Sequence, residues 1–316
     1  MLLDTASLYF RAFFGVPDSL RTPDGRPVNA VRGLLDFISR LTTQYRPTHL
    51  VCCWDNDWRP DWRVQLIPSY KAHRVATPEG TGIDEMSHSA STETEDSPDD
   101  LSVQVPMIIE VLSSLGLAVV GKDGYEADDV IGTLARTSGV PTEVVTGDRD
   151  LLQLVDDEQQ IRVLYIARGV GKHERVDDAW IRNRFGVPAS AYRDFATLKG
   201  DPSDGLPGVA GIGEKTAASL LTSYGSLEGV LEAASQPGTT ISAGVRNKLA
   251  AAIDYLAVAP QVVGVADDLD LGVGLDDLRL PEEPADAAGF ATLTETLGLG
   301  SSADRILTAL SGDGAA

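Results

Sequence analysis

At 316 residues the chain can bury one large α/β core or two smaller ones, with no need of disulfides or structural metals. Its formal net charge of −21 argues, on its face, against a nucleic-acid partner, because a polyanion is repelled by an acidic surface. Two stretches carry much of that excess, residues 84–100 with seven acids and no Lys or Arg, and residues 267–286 with eight acids against one Arg, so net charge says little about the field elsewhere.

In chain order, Met1 to Gly15 is partly apolar, but Asp4 and Arg11 interrupt it and no charged head precedes an apolar run. Neither a signal peptide nor a membrane span is read there, and a cytoplasmic protein is expected. Residues 28–46 place apolar side chains at helical spacing, and 48–54 read as a buried strand running into Asp55. Cys52 and Cys53 are adjacent in that strand and should point to opposite faces as reduced, packed thiols. From about 75 to 100 the chain is a mixture of Ser, Thr, Glu, Asp and Gly with almost no large apolar residue, so mobility is expected. Beyond it, 103–115 reads as helix, 117–120 as strand, 126–137 as helix and 142–146 as strand. Helix and strand alternate, which predicts an α/β fold with a doubly wound, mainly parallel sheet. From about 176 onward short helices broken by Gly and Pro predict a helical subdomain, and the tail after 311 should fray.

The chemical signal lies in where certain acids fall. Asp4 follows the apolar Leu2-Leu3, Asp55 follows Trp54, and Asp148 and Asp150 follow strand 142–146 through Gly147. All sit at carboxyl ends of predicted parallel strands, where open α/β sheets place their ligand crevice. Glu126, Asp128 and Asp129 fall in the first turn of a predicted helix, where the helix dipole alone favours an acid. Three within four residues exceed that need, because like charges raise one another's pKa unless a cation intervenes. Asp201 and Asp204 add a pair in a Gly/Pro-rich loop. Taken singly each is a cap or turn residue; as a set, oxygen-only donors without His or Cys select Mg²⁺ or Mn²⁺ and exclude a zinc reading. Two such ions roughly 4 Å apart favour phosphodiester hydrolysis by in-line displacement.

Residues Gly208-Val209-Ala210-Gly211-Ile212-Gly213-Glu214-Lys215-Thr216 form a Gly-rich loop that fits neither common nucleotide-binding signature. Glu214 separates Gly213 from Lys215, and Thr216 stands where a dinucleotide fingerprint needs its third Gly. The loop reads either as an ordinary αα turn or as a helix–hairpin–helix, in which amides from about Glu214 face a phosphate and Lys215 adds charge.

With both loops in view, the chain resembles the 5′ nuclease (flap endonuclease) family, in particular the 5′→3′ exonuclease domain of bacterial DNA polymerase I and its stand-alone relatives. The residues that carry this are Asp4-Thr5-Ala6-Ser7 with Arg11-Ala12-Phe13, Tyr70-Lys71-Ala72-His73-Arg74, Glu126-Ala127-Asp128-Asp129, Thr146-Gly147-Asp148-Arg149-Asp150, and Lys199-Gly200-Asp201-Pro202-Ser203-Asp204 leading into Pro207 to Ala217. The resemblance implies a PIN-like, resolvase-like core over 1–185 with an arch or clamp at about 63–102, disordered over 75–100. A helical DNA-binding region of the H3TH type would follow over 186–311, then a flexible tail over 312–316. It implies a two-metal site, with Asp4, Asp55, Glu126, Asp128 and Asp129 around one ion and Asp148, Asp150, Asp201 and Asp204 toward the second. Lys71 and Arg74 would steady the scissile phosphate as catalytic residues, and Tyr70 would stack on a base. Arg11, Arg63, Gly208, Gly211, Gly213, Lys215 and Thr216 complete the implied DNA contacts, although Arg63 reads equally well as a solvated side chain. The family's hairpin often also holds a monovalent cation such as K⁺ on backbone carbonyls.

Two departures stand out. Gly205 takes the place of the family's usual Asn, and the clamp is followed by an acidic, Ser-rich insert rather than a compact helix. The reading is therefore a monomeric, divalent-metal-dependent 5′-flap endonuclease and 5′→3′ exonuclease. It would act on branched or nicked DNA, at flaps, nicks or ends, during repair and replication, in the cytoplasm at the nucleoid and without membrane attachment. A catalytically silent junction binder would have lost several of these acids. A PIN-like endoribonuclease would lack the hairpin, and a substrate-free cation-binding protein explains neither the hairpin nor Tyr70-Lys71.

Overall fold

The computed structural model describes residues 1–75, 95 and 97–312. Six strands form its sheet: β1 (Leu2–Asp4), β2 (Val51–Trp54), β3 (Ala118–Gly121), β4 (Thr142–Thr146), β5 (Ile161–Tyr165) and β6 (Glu174–Val176), in the order β3-β2-β1-β4-β5-β6. Every neighbouring pair is parallel except β5 with β6. The first strand lies between β2 and β4, so the chain winds outward from it in one direction and then in the other. That reversal opens a crevice at the carboxyl end of β1, which is where such sheets place ligands. Asp4 ends β1, Asp55 follows β2 and Gly147-Asp148 follow β4, so three adjacent strands deliver their acids to this crevice.

The sheet is buried on both faces. Leu2, Val51, Cys53, Val144 and Val163 enter one core, with Val130, Ile131 and Leu134 of the helix Ala127–Thr137. Leu3, Cys52, Val145 and Leu164 enter the other, with Leu34, Leu35 and Ile38 of helix Asn29–Tyr45 and Ile108, Val111 and Leu112 of helix Val105–Leu115. The two cysteines are free, buried and divided between the faces, as strand alternation requires. Each fully buried Leu, Ile or Val contributes about 1.5–3 kcal/mol relative to exposure, so this two-sided core anchors the strand ends that carry the acids.

Helices and strands expected over 28–46, 48–54, 103–115, 117–120, 126–137 and 142–146 all form, with ends displaced by up to three residues. Arg46 and Gly116 close two of the helices in left-handed conformations, which end the helical hydrogen bonding. Within the segment expected to be mobile, residues 76–94 and 96 lie outside the described residues. Val75 and Glu95 form an antiparallel bridge, and Asp99–Ser102 is a short helix behind Pro98. The expected frayed tail likewise lies outside them from residue 313.

After β6 the chain is helical: Asp178–Phe185, Tyr192–Lys199, Glu214–Tyr224, Leu227–Ser235, Ala243–Ala251 and Ile253–Val263 contribute to the first core or to a smaller third one. The third core joins Ile67 and Tyr70 to Ala196, Leu206, Ala259, Val262 and Val263. Helices Ala287–Leu297 and Ser301–Ser311 instead return to the opposite face, where Phe290, Ile306 and Leu310 pack into the second core and Arg305 pairs with Asp36 at 2.8 Å. Among the described residues, no helix is long and apolar enough to cross a membrane.

Candidate active site

Each acid at the crevice is fixed by the backbone around it. Asp4 caps the helix Thr5–Gly15 by accepting from the Ser7 amide at 3.0 Å, and its other oxygen accepts from the Thr146 hydroxyl at 2.6 Å. Ser7 Oγ accepts in turn from the Gly147 amide at 3.0 Å, which ties the end of β4 to the end of β1. Asp55 accepts from the Ala127 amide at 2.8 Å, and Asp148 accepts from the Asp150 amide at 2.8 Å. Asp201 caps its own turn by accepting from the Ser203 amide at 2.8 Å. The cap roles available to single acids in the sequence are thus real, and they coexist with convergence.

Convergence shows in the electrostatics. Burial, then Asp55 and Asp148, push the Asp4 carboxyl up to about 7 although Thr146 and Ser7 oppose the shift. Asp128 is held well above the usual carboxylate range by burial and then by Asp4, Asp148 and Glu126. Asp150 is raised by burial and then by Asp148, Asp204 and Asp201, and Asp55 and Asp204 are raised chiefly by burial. Buried carboxylates that raise one another in this way form a negative field that only protons or cations can relieve.

One cation of the chain already stands in that field. Lys71 Nζ pairs with Glu126, and its charge opposes the upward shifts of Asp55, Asp128, Asp150 and Asp204. Burial would lower the Lys71 ammonium, yet Glu126, Tyr70 and Asp204 hold it well above its ordinary value. Its backbone is left-handed at φ 48°, a conformation that costs a non-glycine residue about 1–2 kcal/mol. The surroundings hold it there: the Lys71 amide donates to the Asp204 carbonyl at 2.9 Å, and buried Arg59 donates to the Tyr70 and Pro68 carbonyls at 2.6 and 3.1 Å. Arg74 pairs with Asp204 at 2.7 Å and donates to the Ser203 carbonyl at 2.8 Å. Among the described residues, no three acids are drawn to the spacing of a formed metal shell. The all-oxygen donor set and its unrelieved charge nevertheless suit a hard divalent cation.

Three side chains occupy places other than those the sequence suggested. Arg63 is only 2 % exposed and is neither solvated nor free to meet DNA; its guanidinium pairs with Glu126 and, bidentately, with Asp129, and donates to the Val262 and Gly264 carbonyls. Tyr70 is 4 % exposed and packs in the third core, its hydroxyl donating to Glu126 at 2.8 Å, so its ring is not open to stack on a base. Asp129, wholly buried, accepts two bonds from Arg63 and one each from the Glu126 and Ala266 amides, which leaves its carboxylate no ready lone pair for a cation. Alternation and spacing identify these as charged or aromatic residues near a motif, but their burial depends on residues 262–266, which are far away in sequence.

Arg11 lies over the turn after β4, its Nη2 3.4 Å from where a Cβ on Gly147 would stand. The hairpin forms between helices Tyr192–Lys199 and Glu214–Tyr224. Gly200 and Gly208, at φ 78° and 63°, meet back to back, and a Cβ on either would lie 2.5 Å from the other's amide nitrogen. Gly211 has φ 77°, Gly213 caps the second helix, and Lys215 is exposed with Thr216 partly so. Residues the sequence did not single out also shape the site. Buried Asp57 accepts from the Gly124 amide at 2.5 Å and sets the turn before Glu126, while Arg59 sets the Tyr70-Lys71 turn.

Known proteins similar to this chain match it over nearly its whole length. The family model for the N-terminal resolvase-like domain of 5′-3′ exonuclease matches residues 1–186, and that for its C-terminal SAM fold matches 187–286. The chain is 56 % identical over 310 residues to a 5′-3′ exonuclease of Streptomyces coelicolor, covering 98 % of this chain and 99 % of that one. It is 35 % identical over 318 residues to DNA polymerase I of Mycobacterium bovis, covering 99 % of this chain but 32 % of the polymerase. Among solved structures it is similar to T5 5′-exonuclease with divalent metal ions (zinc) bound, at TM-score 0.62 and 15 % identity over 99 % of this chain and 98 % of that one.

Proposed function

The chain belongs to the 5′-3′ exonuclease family and is a nuclease, and from that premise we propose that it is a divalent-metal-dependent 5′ nuclease cutting DNA at flaps, nicks or ends by a two-metal mechanism. The observation that carries this reading is the set of acids gathered where β2, β1 and β4 end, among which Asp4, Asp55, Asp128, Asp150 and Asp204 are raised by burial and then by neighbouring acids, with Lys71 in the same field. Asp4, Asp55, Glu126 and Asp128 would hold one cation and Asp148, Asp150, Asp201 and Asp204 a second, with Asp129 supporting them through Arg63. Oxygen donors favour Mg²⁺ or Mn²⁺; the similar T5 5′-exonuclease structure holds zinc, which supports a divalent-metal site without selecting between metals. Such ions would supply a lowered pKa for water and neutralisation of the charge that builds on phosphorus.

The protein's own cations do the rest. Lys71 and Arg74, now paired with Glu126 and Asp204, exchange those partners for oxygens of the scissile phosphate once the acids are otherwise neutralised. Both are preorganised for the exchange, Lys71 by its left-handed turn and Arg74 by the Ser203 carbonyl, and fixed donors aimed at developing charge are the largest contributors to such rate enhancements. Arg11, over Gly147, flanks the same crevice. The hairpin with Lys215 and Thr216 would grip duplex phosphates without reading sequence. In this scheme residues 1–185 are the nuclease core, with a clamp over about 63–102, and the duplex-binding role falls to the helical region that follows. The enzyme would act as a monomer on branched or nicked DNA at the nucleoid, in repair and primer removal.

The test is cleavage of 5′-end-labelled flap, nicked and blunt duplexes after chelation and re-addition of Mg²⁺ or Mn²⁺. Cutting near the junction only in the presence of metal supports the proposal. Tight binding without cutting in either metal moves the reading to a silent junction binder.

A further inference from the structure

Two hydroxyl groups join the ends of β1 and β4, and one of them reaches a carboxylate. The β1–β4 ladder pairs Leu2 with Val144 and Leu3 with Val145 and stops there, so at the level of Asp4 side chains join the two strands. Thr146 is wholly buried; its hydroxyl donates to Asp4 Oδ2 at 2.6 Å and accepts from the Asp148 amide at 2.8 Å. A hydroxyl has a single proton, so with that amide donating to the oxygen, the proton is committed to Asp4. Thr146 is also held from the other side, where it pairs with Tyr165 of β5 and its carbonyl accepts from the Ile166 amide at 2.9 Å. Its β-branch restricts the side chain further. Asp4 keeps capacity for a cation all the same. Each of its oxygens takes one of these protein donors, the Ser7 amide on Oδ1 and the Thr146 hydroxyl on Oδ2, whereas each oxygen of Asp129 takes two.

We propose that Thr146 is a positioning residue of the hydrolytic centre, its hydroxyl locking the Asp4 carboxylate to the Asp148 backbone and so fixing the donors of one cation relative to those of the other. The inference rests on the two-metal reading above, in which Asp4 serves one ion and Asp148 the second. In this role Thr146 touches neither ion nor substrate and acts through the two acids it joins. Carboxylates that hold a cation are themselves oriented by hydrogen bonds, and losing one such bond typically costs about 10–100-fold in metal affinity or activity. Thr146 has no exposed surface, so solvent does not stand in for a missing hydroxyl. Ser7 supplies the contrast: its Oγ accepts from the Gly147 amide at 3.0 Å and closes the same turn, a bond with no carboxylate in it.

Mn²⁺ binding is measured without DNA, from the paramagnetic resonance signal of free Mn²⁺, for the wild type, Thr146→Val, Thr146→Ser and Ser7→Ala. Single-turnover cleavage of a 5′-flap duplex is followed across a Mn²⁺ titration in parallel. Thr146→Val, which keeps the shape and loses the hydroxyl, is expected to bind Mn²⁺ about 10–100-fold more weakly and to need correspondingly more Mn²⁺ for half-maximal cleavage, with flap affinity under chelation unchanged. Thr146→Ser recovers most of the Mn²⁺ affinity, and Ser7→Ala melts at a lower temperature yet retains it. Equal losses of Mn²⁺ affinity in Ser7→Ala and Thr146→Val, or equal losses of thermal stability with affinity intact in both, would overturn the assignment and leave Thr146 a tie between strands. Thr146→Ser as weak as Thr146→Val would overturn it too, because the hydroxyl would not be the group that matters. If Thr146→Val does not fold, Thr146→Cys takes its place, since a thiol is only a weak donor, and the same comparisons decide. Failure of the two-metal reading looks different: the wild type itself would then bind Mn²⁺ no better than Asp128→Asn, and both readings would fall together.

Discussion

Arg63 and Asp129 face each other inside the protein as a bidentate ion pair at 2.7 and 2.8 Å, both side chains buried. Around them the pair collects Glu126, the Val262 and Gly264 carbonyls and the Ala266 amide, so a single arginine links helix Asp61–Leu66, the acidic cluster and the exit of helix Ile253–Val263. Removing one partner of such a pair strands a buried charge. Arg63→Met is predicted to lower unfolding stability by about 3–5 kcal/mol in denaturant titration. A DNA-contact role would instead leave the unfolding midpoint unchanged and weaken DNA binding alone. In a cycle with Asp129→Asn, the two losses should fall well short of adding, because each substitution removes the same interaction.

Gly205, which departs from the family's usual Asn, has a physical explanation here. A Cβ at this position would stand 2.0 Å from the Ser69 carbonyl oxygen, and the Gly205 carbonyl accepts from the Ser69 hydroxyl at 2.7 Å. The loop bearing Asp204 is thus docked directly on the turn bearing Lys71. Gly205→Asn is predicted to cost about 1–3 kcal/mol in thermal or denaturant unfolding and to reduce cleavage, by pushing Asp204 away from Arg74 and the Lys71 amide. An Asn variant with unchanged stability and activity would show that the close approach is not maintained.

Acid placement was the most legible part of the site. Asp4 and Asp55 can be assigned to strand ends because β1 and β2 are apolar runs that stop at an acid, Asp148 because it follows Val144-Val145 through Thr146-Gly147, and sheet topology does the rest. What could not be read was which charges are consumed internally. Arg63, Tyr70 and Asp129 carry the right chemistry for a surface role, but they are buried by Val262, Val263 and Ala266, well over a hundred residues from the nearest of them. Strand β6 is three residues long and pairs antiparallel at the sheet edge, too short for a period-two pattern to show. Likewise Asp57 and Arg59 shape the site through bonds to backbone groups, which leave no periodic trace.

The raised carboxyls predict a stability that depends on pH in an unusual sense. Asp4 is pushed from 3.8 to about 7 by burial and then by Asp55 and Asp148, and Asp128 and Asp150 are raised as well. In the metal-free fold these groups prefer to be protonated, so their contribution is fully present below the ordinary carboxylate pKa and is lost as pH rises through the raised values. With divalent ions chelated, the melting temperature should therefore fall between about pH 5 and pH 8. Adding Mg²⁺ or Mn²⁺ should raise it most at the alkaline end, where no proton competes for the carboxylates. A chelated protein that gains stability over this range would contradict the buried, mutually raised cluster.

The most direct test of the account is the rate of 5′-flap cleavage by Asp128→Asn against the wild type across a Mn²⁺ titration, with flap binding measured in parallel under chelation. Asp128 is held well above the usual carboxylate range by burial and then by Asp4, Asp148 and Glu126. The predicted result is cleavage reduced by about a hundredfold or more at every Mn²⁺ concentration, with flap affinity retained within a few-fold. Cleavage at the wild-type rate in Asp128→Asn would contradict the assignment of the acidic cluster as the hydrolytic centre.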